Sequence, residues 1–192
     1  MHPAGLKAMR PTILLTAAFA AIAAAPLTLS GCVTDEPQGG APMPLINSAG
    51  QTTGYVRAWQ TTGGVTFRID ASGLPHGIHG IHVHSVGRCD PPDFASAGPH
   101  WNPLGRKHGL ANPMGPHAGD LPNVTVAANG VLGDTVTLSG ASLTATGPGA
   151  LLDADGAALV IHAAADDNLT DPSGNSGARI ACAVIRPVAE LR

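Results

Sequence analysis

From Val65 to Ala71, apolar and polar side chains alternate without a break. Val65, Phe67, Ile69 and Ala71 fall on one face, and Thr66, Arg68 and Asp70 on the other. A period of two marks a strand with one face buried. Tyr55 to Thr61 reads as a second strand, joined to the first through Thr62-Gly63-Gly64, a hairpin signal. Ile78 to Ser85 is a further segment. Val124–Val126 and Val136–Leu138 flank a turn at Asn129-Gly130, and Leu159–Ile161 and Ile180–Ile185 supply late strands. No stretch sustains the 3.6-residue apolar period of a helix. Short strands at this spacing predict an all-β fold, an antiparallel sandwich or barrel.

Residues 86–121 fit no element. They hold twelve Gly or Pro and three of the nine His of the chain. A stretch of that length without secondary structure inside a domain is a functional loop or a misassigned element. The first reading is taken here, with the loop held by something other than a hydrogen-bond ladder.

Composition narrows the function. Only 12% of the 192 residues are charged, and no basic cluster exceeds the pair Arg106-Lys107, so a nucleic-acid partner is not expected. Gly and Pro are 42 of the 192 residues but follow no triplet period, which excludes a collagen. At the start, Lys7 and Arg10 precede an apolar run, Ile13 to Ala25, broken only by Thr16. The run falls short of the roughly 20 residues needed to cross a bilayer and has the layout of a secretory signal. Leu29-Ser30-Gly31-Cys32 follows and resembles the lipobox of bacterial lipoproteins, in which the chain is cut before the Cys and the thiol is lipidated.

The expected organisation is a signal peptide over 1–31, a flexible tether over 32–42 and one domain over 43–192. Loss of 1–31 takes two of the ten cations and none of the thirteen acids, leaving a formal charge of −5. The Gly/Pro-rich tether has a coil span of about 17 Å. With Cys32 committed to lipid, Cys89 and Cys182 form an even pair in an exported chain and read as a disulfide rather than as metal ligands.

The histidines are the unusual feature. His82 and His84 are two apart on an expected strand and share a face, whereas His79 points the other way. The long loop adds His100, His108, His117 and Asp120, and His162 follows the apolar run Ala158–Ile161. Neutral imidazoles and a carboxylate are the ligand set of zinc and copper. Two four-coordinate metals need eight ligand positions, and His82, His84, His100, His108, His117, His162 and Asp120 are seven residues. One His would have to serve both ions through its two nitrogens. The arithmetic permits such a site without demonstrating it.

Gly77-Ile78-His79-Gly80-Ile81-His82-Val83-His84, Ser96-Ala97-Gly98-Pro99-His100-Trp101-Asn102-Pro103 and Arg106-Lys107-His108-Gly109 resemble the copper,zinc superoxide dismutases, in particular the exported lipoprotein-type bacterial members. So do His117-Ala118-Gly119-Asp120-Leu121, Leu159-Val160-Ile161-His162 and Gly174-Asn175-Ser176-Gly177-Ala178-Arg179-Ile180-Ala181-Cys182. The resemblance runs from about residue 45 to the end of the chain.

It implies an eight-stranded antiparallel Greek-key β-barrel or sandwich, Ig-like, with long metal-binding loops. It implies one copper ion on His82, His84, His100 and His162, and one zinc ion on His100, His108, His117 and Asp120. His100 would bridge the two. Asp166 would link His82 to His108, Arg179 would draw the superoxide anion to copper, His79 would be structural, and Cys89–Cys182 would tie the long loop to the last strands. The implied reaction is dismutation of superoxide to dioxygen and hydrogen peroxide, as an antioxidant defence outside the cytoplasm. The place expected for the protein is the periplasm, anchored to a membrane through Cys32. A homodimer is open, with Tyr55, Trp59 and Trp101 suggesting a patch.

There are departures from the family pattern. Cys89 and His100 lie further apart than in eukaryotic members, Ile81 replaces a Phe and Ala183 a Gly, and Ser173 stands where Thr is common. The 163–177 loop lacks the lysines that help attract substrate in eukaryotic members. Rival readings are a copper carrier on the same fold, a zinc hydrolase and a structural lipoprotein. The first tends to lose copper ligands or the arginine, and the second needs an open zinc position. Neither feature is present here. His2 and His76 receive no role.

Overall fold

The computed structural model describes Met1 and residues 40–186. Residues 2–31 of the expected signal peptide, Cys32 and the tether as far as residue 39 lie outside the described residues, as do residues 187–192.

Within the described residues of the unit Glu36–Arg192, nine strands form in chain order. They are β1 (Met43–Asn47), β2 (Thr52–Thr61), β3 (Gly64–Ala71), β4 (Gly77–His79), β5 (Ile81–His84), β6 (Val124–Val126), β7 (Leu132–Ser139), β8 (Ala157–His162) and β9 (Arg179–Ile185). One short 3-10 turn, Ala95–Ala97, is the only helical element described. Seven strands make one sheet in the order β5-β8-β9-β1-β2-β3-β7, and β4 pairs with β6. Every strand pairing is antiparallel. The all-β, antiparallel expectation holds.

The strand count differs by one because Ile78–Ser85 is bent. At Gly80 the chain leaves the pair with β6 and enters the large sheet beside β8. A Cβ there would lie 2.9 Å from that of Ser176 and 3.2 Å from that of Asp166, so only Gly allows the approach. Counted as one bent segment, β4 and β5 restore the expected eight.

β1 lies where the sequence pattern predicts no element, and it carries Pro44, a residue disfavoured inside a sheet. Its pairing shows why Pro44 is tolerated. Only Ile46 and Asn47 pair with β9, so at Pro44 the strand is ladder-paired on one side alone. Ahead of it, Gly40 N–H already donates to Ala58 O at 3.0 Å.

The inward faces of the strands share one core. Leu45, Val56, Phe67, Ile69, Ile81, Val83, Leu159 and Ile161 are fully buried in it. Complete burial of a side chain such as Phe67 contributes about 1.5–3 kcal/mol. Trp101 joins this core at 9% exposure, while Trp59 is half-buried and only Tyr55 is exposed. The three aromatics therefore do not form the surface patch expected of them.

Candidate metal centre

The edge strand β5 carries His82 and His84, and the next strand, β8, ends on His162. All three side chains are buried. The long loop is held against β5 through the site residues themselves. Isolated bridges pair His84 with His100 and His82 with Asp120. Between them, Val83 N–H donates to Gly119 O at 2.8 Å and Val83 O accepts Trp101 N–H at 2.8 Å. The loop thus borrows the free edge of β5 as its scaffold, which also covers an otherwise exposed strand edge.

Four histidines converge on one point. His82, His84, His100 and His162 each offer an atom within 4.8 Å of the others. Three of them have their far nitrogen fixed as a donor. His82 Nε2 lies 2.7 Å from Asp166 Oδ2, His84 Nδ1 2.8 Å from Gly98 O, and His162 Nδ1 3.1 Å from Gly177 O. The remaining nitrogens, His82 Nδ1, His84 Nε2 and His162 Nε2, are buried without a partner, as is His100 Nε2. A buried polar atom without a hydrogen bond requires an explanation. Four of them meeting as imidazole lone pairs match the donor set of copper or zinc. Burial holds the three strand histidines neutral despite the hydrogen bonds that oppose it. His82 is lowered to about 4, His84 to about 2 and His162 to about 3.

A second group lies beside the first. His100 Nδ1 and His108 Nδ1 are each 3.0 Å from Asp120 Oδ1, and His117 Nδ1 is 3.5 Å from it and 3.4 Å from His100 Nδ1. Asp120 Oδ2 accepts the backbone N–H of Gly109 and His117, both at 2.9 Å. Gly109 has φ +109°, and a Cβ there would strike the Asn168 carbonyl, so this tight entry requires Gly. His82 can also be grouped with His100, His108 and Asp120 by distance. Its Nε2 is committed to Asp166 and its Nδ1 faces the other group, so His117 is the better fourth member.

Burial works against charge at Asp120, but hydrogen bonds from His100, His108 and the Gly109 amide outweigh it and hold the carboxyl ionised far below the usual range. Burial likewise opposes charge on His108, yet hydrogen bonds to Asp120 and Asp166 push it up to about 9. This half of the site attracts positive charge.

Asp166 connects the halves. One oxygen holds His82, and the other takes His108 Nε2 at 3.0 Å. Burial raises this carboxyl's affinity for a proton, and the hydrogen bonds from His108 and His82 more than reverse that. Asn123 escaped sequence reasoning, since nothing marks an Asn at a strand entry as functional. Its side-chain amide clamps the Asp166 backbone, donating to Asp166 O at 2.8 Å and accepting Asp166 N–H at 2.9 Å. Carboxylates that fix imidazoles in this way set ring orientation and tautomer.

Arg179 opens β9 and donates Nη1 to Phe94 O and Nη2 to Gly98 O. Gly98 O also takes His84 Nδ1, which sets the arginine beside the four-histidine group. Cys89 and Cys182 form a disulfide that joins the start of this loop to β9. His79 is buried, with its ring nitrogens 2.7 Å from His162 O and 2.8 Å from Pro75 O, which fits a structural role. Of the predicted site residues, only Cys32 is not described.

A sequence profile of the family described as copper/zinc superoxide dismutase (SODC) matches residues 52–185. The chain is 43% identical over 148 residues to superoxide dismutase [Cu-Zn] 1 of Aquifex aeolicus, covering 74% of this chain and 85% of that one. The crystal structure of a SOD-like protein from Bacillus subtilis superposes with a TM-score of 0.73 at 43% identity, over 77% of this chain and 99% of that one. The Cu/Zn superoxide dismutase of Brucella abortus does so with a TM-score of 0.61 at 26% identity, again over 77% and 99%. With the profile spanning most of the domain and relatives this similar over most of their own lengths, the chain belongs to the copper/zinc superoxide dismutase family.

Proposed function

We propose that this protein dismutes superoxide: two superoxide anions and two protons yield one dioxygen and one hydrogen peroxide. Family membership alone does not decide this, because a relative of equal identity carries only the name superoxide dismutase-like. The observation that carries the reading is the set of four buried, unpartnered imidazole nitrogens on His82, His84, His100 and His162. These residues would hold copper. His100, His108, His117 and Asp120 would hold zinc. When bound, copper supplies a one-electron redox couple and zinc a fixed positive charge without redox chemistry.

The chain's own groups do the rest. Arg179 places a cation beside the four-histidine group and draws in the anion. His100 presents Nε2 to one group and Nδ1 to the other, so Nε2 is the atom at which a proton can be held close to the bound anion and passed to it. Asp166 keeps the His82 and His108 rings in register. The protein is read as an exported, periplasmic lipoprotein anchored through Cys32, a reading supported by Lys7, Arg10, the Ile13–Ala25 run and Leu29-Ser30-Gly31-Cys32.

The test is a superoxide assay on the metal-loaded mature chain, with metal content measured on the same sample. Wild type should consume superoxide at a high second-order rate with one copper and one zinc per chain. Arg179→Glu should keep both metals and lose about 10- to 1,000-fold in rate, the range of charge steering. A fully loaded Arg179→Glu protein with wild-type activity would show that the arginine has no such role, and a fully loaded but inactive wild type would refute the reaction. Acyl mass on Cys32, measured on the membrane fraction, tests the anchor.

A further inference from the structure

Arg179 spans the 3-10 turn Ala95–Ala97, with Nη1 2.6 Å from the carbonyl oxygen of Phe94 before it and Nη2 2.7 Å from that of Gly98 after it. Where those two carbonyls point decides where the guanidinium points. The Gly98 end is tied to the continuation of β5, since Ser85 N–H donates to Pro99 O at 2.9 Å and Val86 N–H to Ala97 O at 3.0 Å. Among the described residues the Phe94 end has no such backbone tie, and its nearest link to the sheet along the chain is the Cys89–Cys182 disulfide. The N–H of Phe94 bonds to Asp90 O at 3.1 Å, within the same loop, and its carbonyl takes Ala97 N–H at 3.0 Å.

What fixes Phe94 is its ring. The side chain is fully buried in a small apolar cluster of its own, with Ala97, Ala158, Val160 and Cys182. The backbone at Phe94 has φ 54° and ψ 27°, the left-handed region that bulky side chains rarely adopt. Such a conformation persists where the surroundings over-determine it, and here the ring's seat against β8 and β9 does so. From this one residue the ring seats against β8 and β9 and the carbonyl accepts from Arg179.

We propose that Phe94 is the positioning residue of Arg179: the buried ring anchors the carbonyl that aims the guanidinium into the cleft beside the four-histidine group. That cleft has a volume of about 720 Å³, and its lining includes Pro92, Asp93, Ala178 and Arg179. The identity of the anion drawn there rests on the dismutase reading, whereas the aiming of the arginine does not.

The first measurement therefore uses no activity. The metal-loaded mature chain is treated with phenylglyoxal, and the rate of modification at each arginine is read by peptide mass spectrometry. Phe94→Ala should speed modification at Arg179 by about tenfold or more, as expected when a hydrogen bond to a charged group is released. Exposed Arg57 and Arg106 should keep their rates. Phe94→Leu, which refills most of the seat, should give an intermediate rate and carries the test if the Ala variant does not fold. An unchanged Arg179 rate in the folded variants, or an equal rise at every arginine, would overturn the proposal.

The second measurement is a double-mutant cycle on the superoxide rate. Phe94→Ala should lower the rate by about tenfold, the lower end of charge steering, and should change nothing further in an Arg179→Ile background. An equal loss in both backgrounds would overturn the proposal. A wild type without superoxide activity, together with the predicted phenylglyoxal result, would support Phe94 and refute only the dismutase reading.

Discussion

His82, His84 and His162 stand on strands with ladders of their own, whereas His100, His108, His117 and Asp120 stand on a segment with almost none. In the strand-held half, backbone carbonyls and Asp166 fix the far nitrogens, and the near nitrogens wait buried and neutral. That half is ordered by the sheet that carries it. In the loop-held half, three Nδ1 atoms crowd one carboxylate oxygen, and the loop bonds to β5 only near His100 and Asp120. That carboxylate makes this half a place for positive charge. One domain thus sets one group of candidate ligands on β-sheet and the other on a loop gathered around a single carboxylate.

The largest expected effect removes the charge at the centre of the loop-held half. Asp120→Asn should lose zinc and cost about 3–5 kcal/mol of stability, as when one partner of a buried charged network is deleted. Copper affinity should stay close to that of wild type. Thermal unfolding with metal analysis checks this, and unchanged zinc at unchanged stability would make the two halves alike.

Asp166→Asn attacks the link between them. Loss of a carboxylate that orients ligand imidazoles typically costs 10- to 100-fold in metal affinity. Both ions should be affected, since Asp166 holds one histidine of each group. Competition titrations read the two affinities separately, and an effect on one ion alone would mean the bridge is one-sided.

His108 should also titrate in the opposite sense to the strand histidines in the metal-free protein. His82, His84 and His162 are held neutral, so the unfolded chain takes up protons below about pH 6.5 that the folded chain refuses. Stability should fall on acidification there, by at most about 1.4 kcal/mol per pH unit for each group. His108 is pushed up to about 9, so its contribution is complete below pH 6.5 and disappears as pH rises through about 9. Denaturant melts across this range should show a maximum near pH 6.5, and stability that rises steadily from pH 6.5 to 9 would remove the contrast.

The smallest effect concerns the cleft at the strand-held half. Asp93 shares it with Arg179 and opposes attraction of an anion. Asp93→Asn retains an oxygen to accept the Ala95 N–H that Asp93 now caps, and discards the charge. The superoxide rate should rise roughly two- to threefold at low salt, as for one exposed charge, and the gain should shrink as salt screens it. A rate that does not change, or falls, would leave Asp93 with its capping role alone.

Sequence patterning read these regions unevenly, for physical reasons. The alternation at Val65–Ala71 and the pair His82/His84 were legible because a strand's period of two is written locally. The ligand set on the long loop has no period: its residue types mark it as metal-binding chemistry, but the division between two ions is readable only through its resemblance to a family. β1 has no alternating pattern to mark it, and Pro44 within it is tolerated through the one-sided pairing at that position. Phe94, Gly98 and Asn123 act through carbonyls and a backbone clamp, features that any residue type can supply or that leave no mark in composition. Cys89 and Cys182, by contrast, are legible as an even pair once Cys32 is assigned to lipid and the chain to export, and the resemblance pairs them as well.

The most direct test of the account is the metal content of His84→Ala. His84 belongs only to the strand-held group, and its Nε2 is one of the four unpartnered nitrogens. Mass spectrometric metal analysis of the loaded variant should find copper lost or strongly weakened, zinc retained at one per chain, and superoxide activity gone. Stoichiometric copper held as tightly as in wild type, or zinc lost together with copper, would contradict the account.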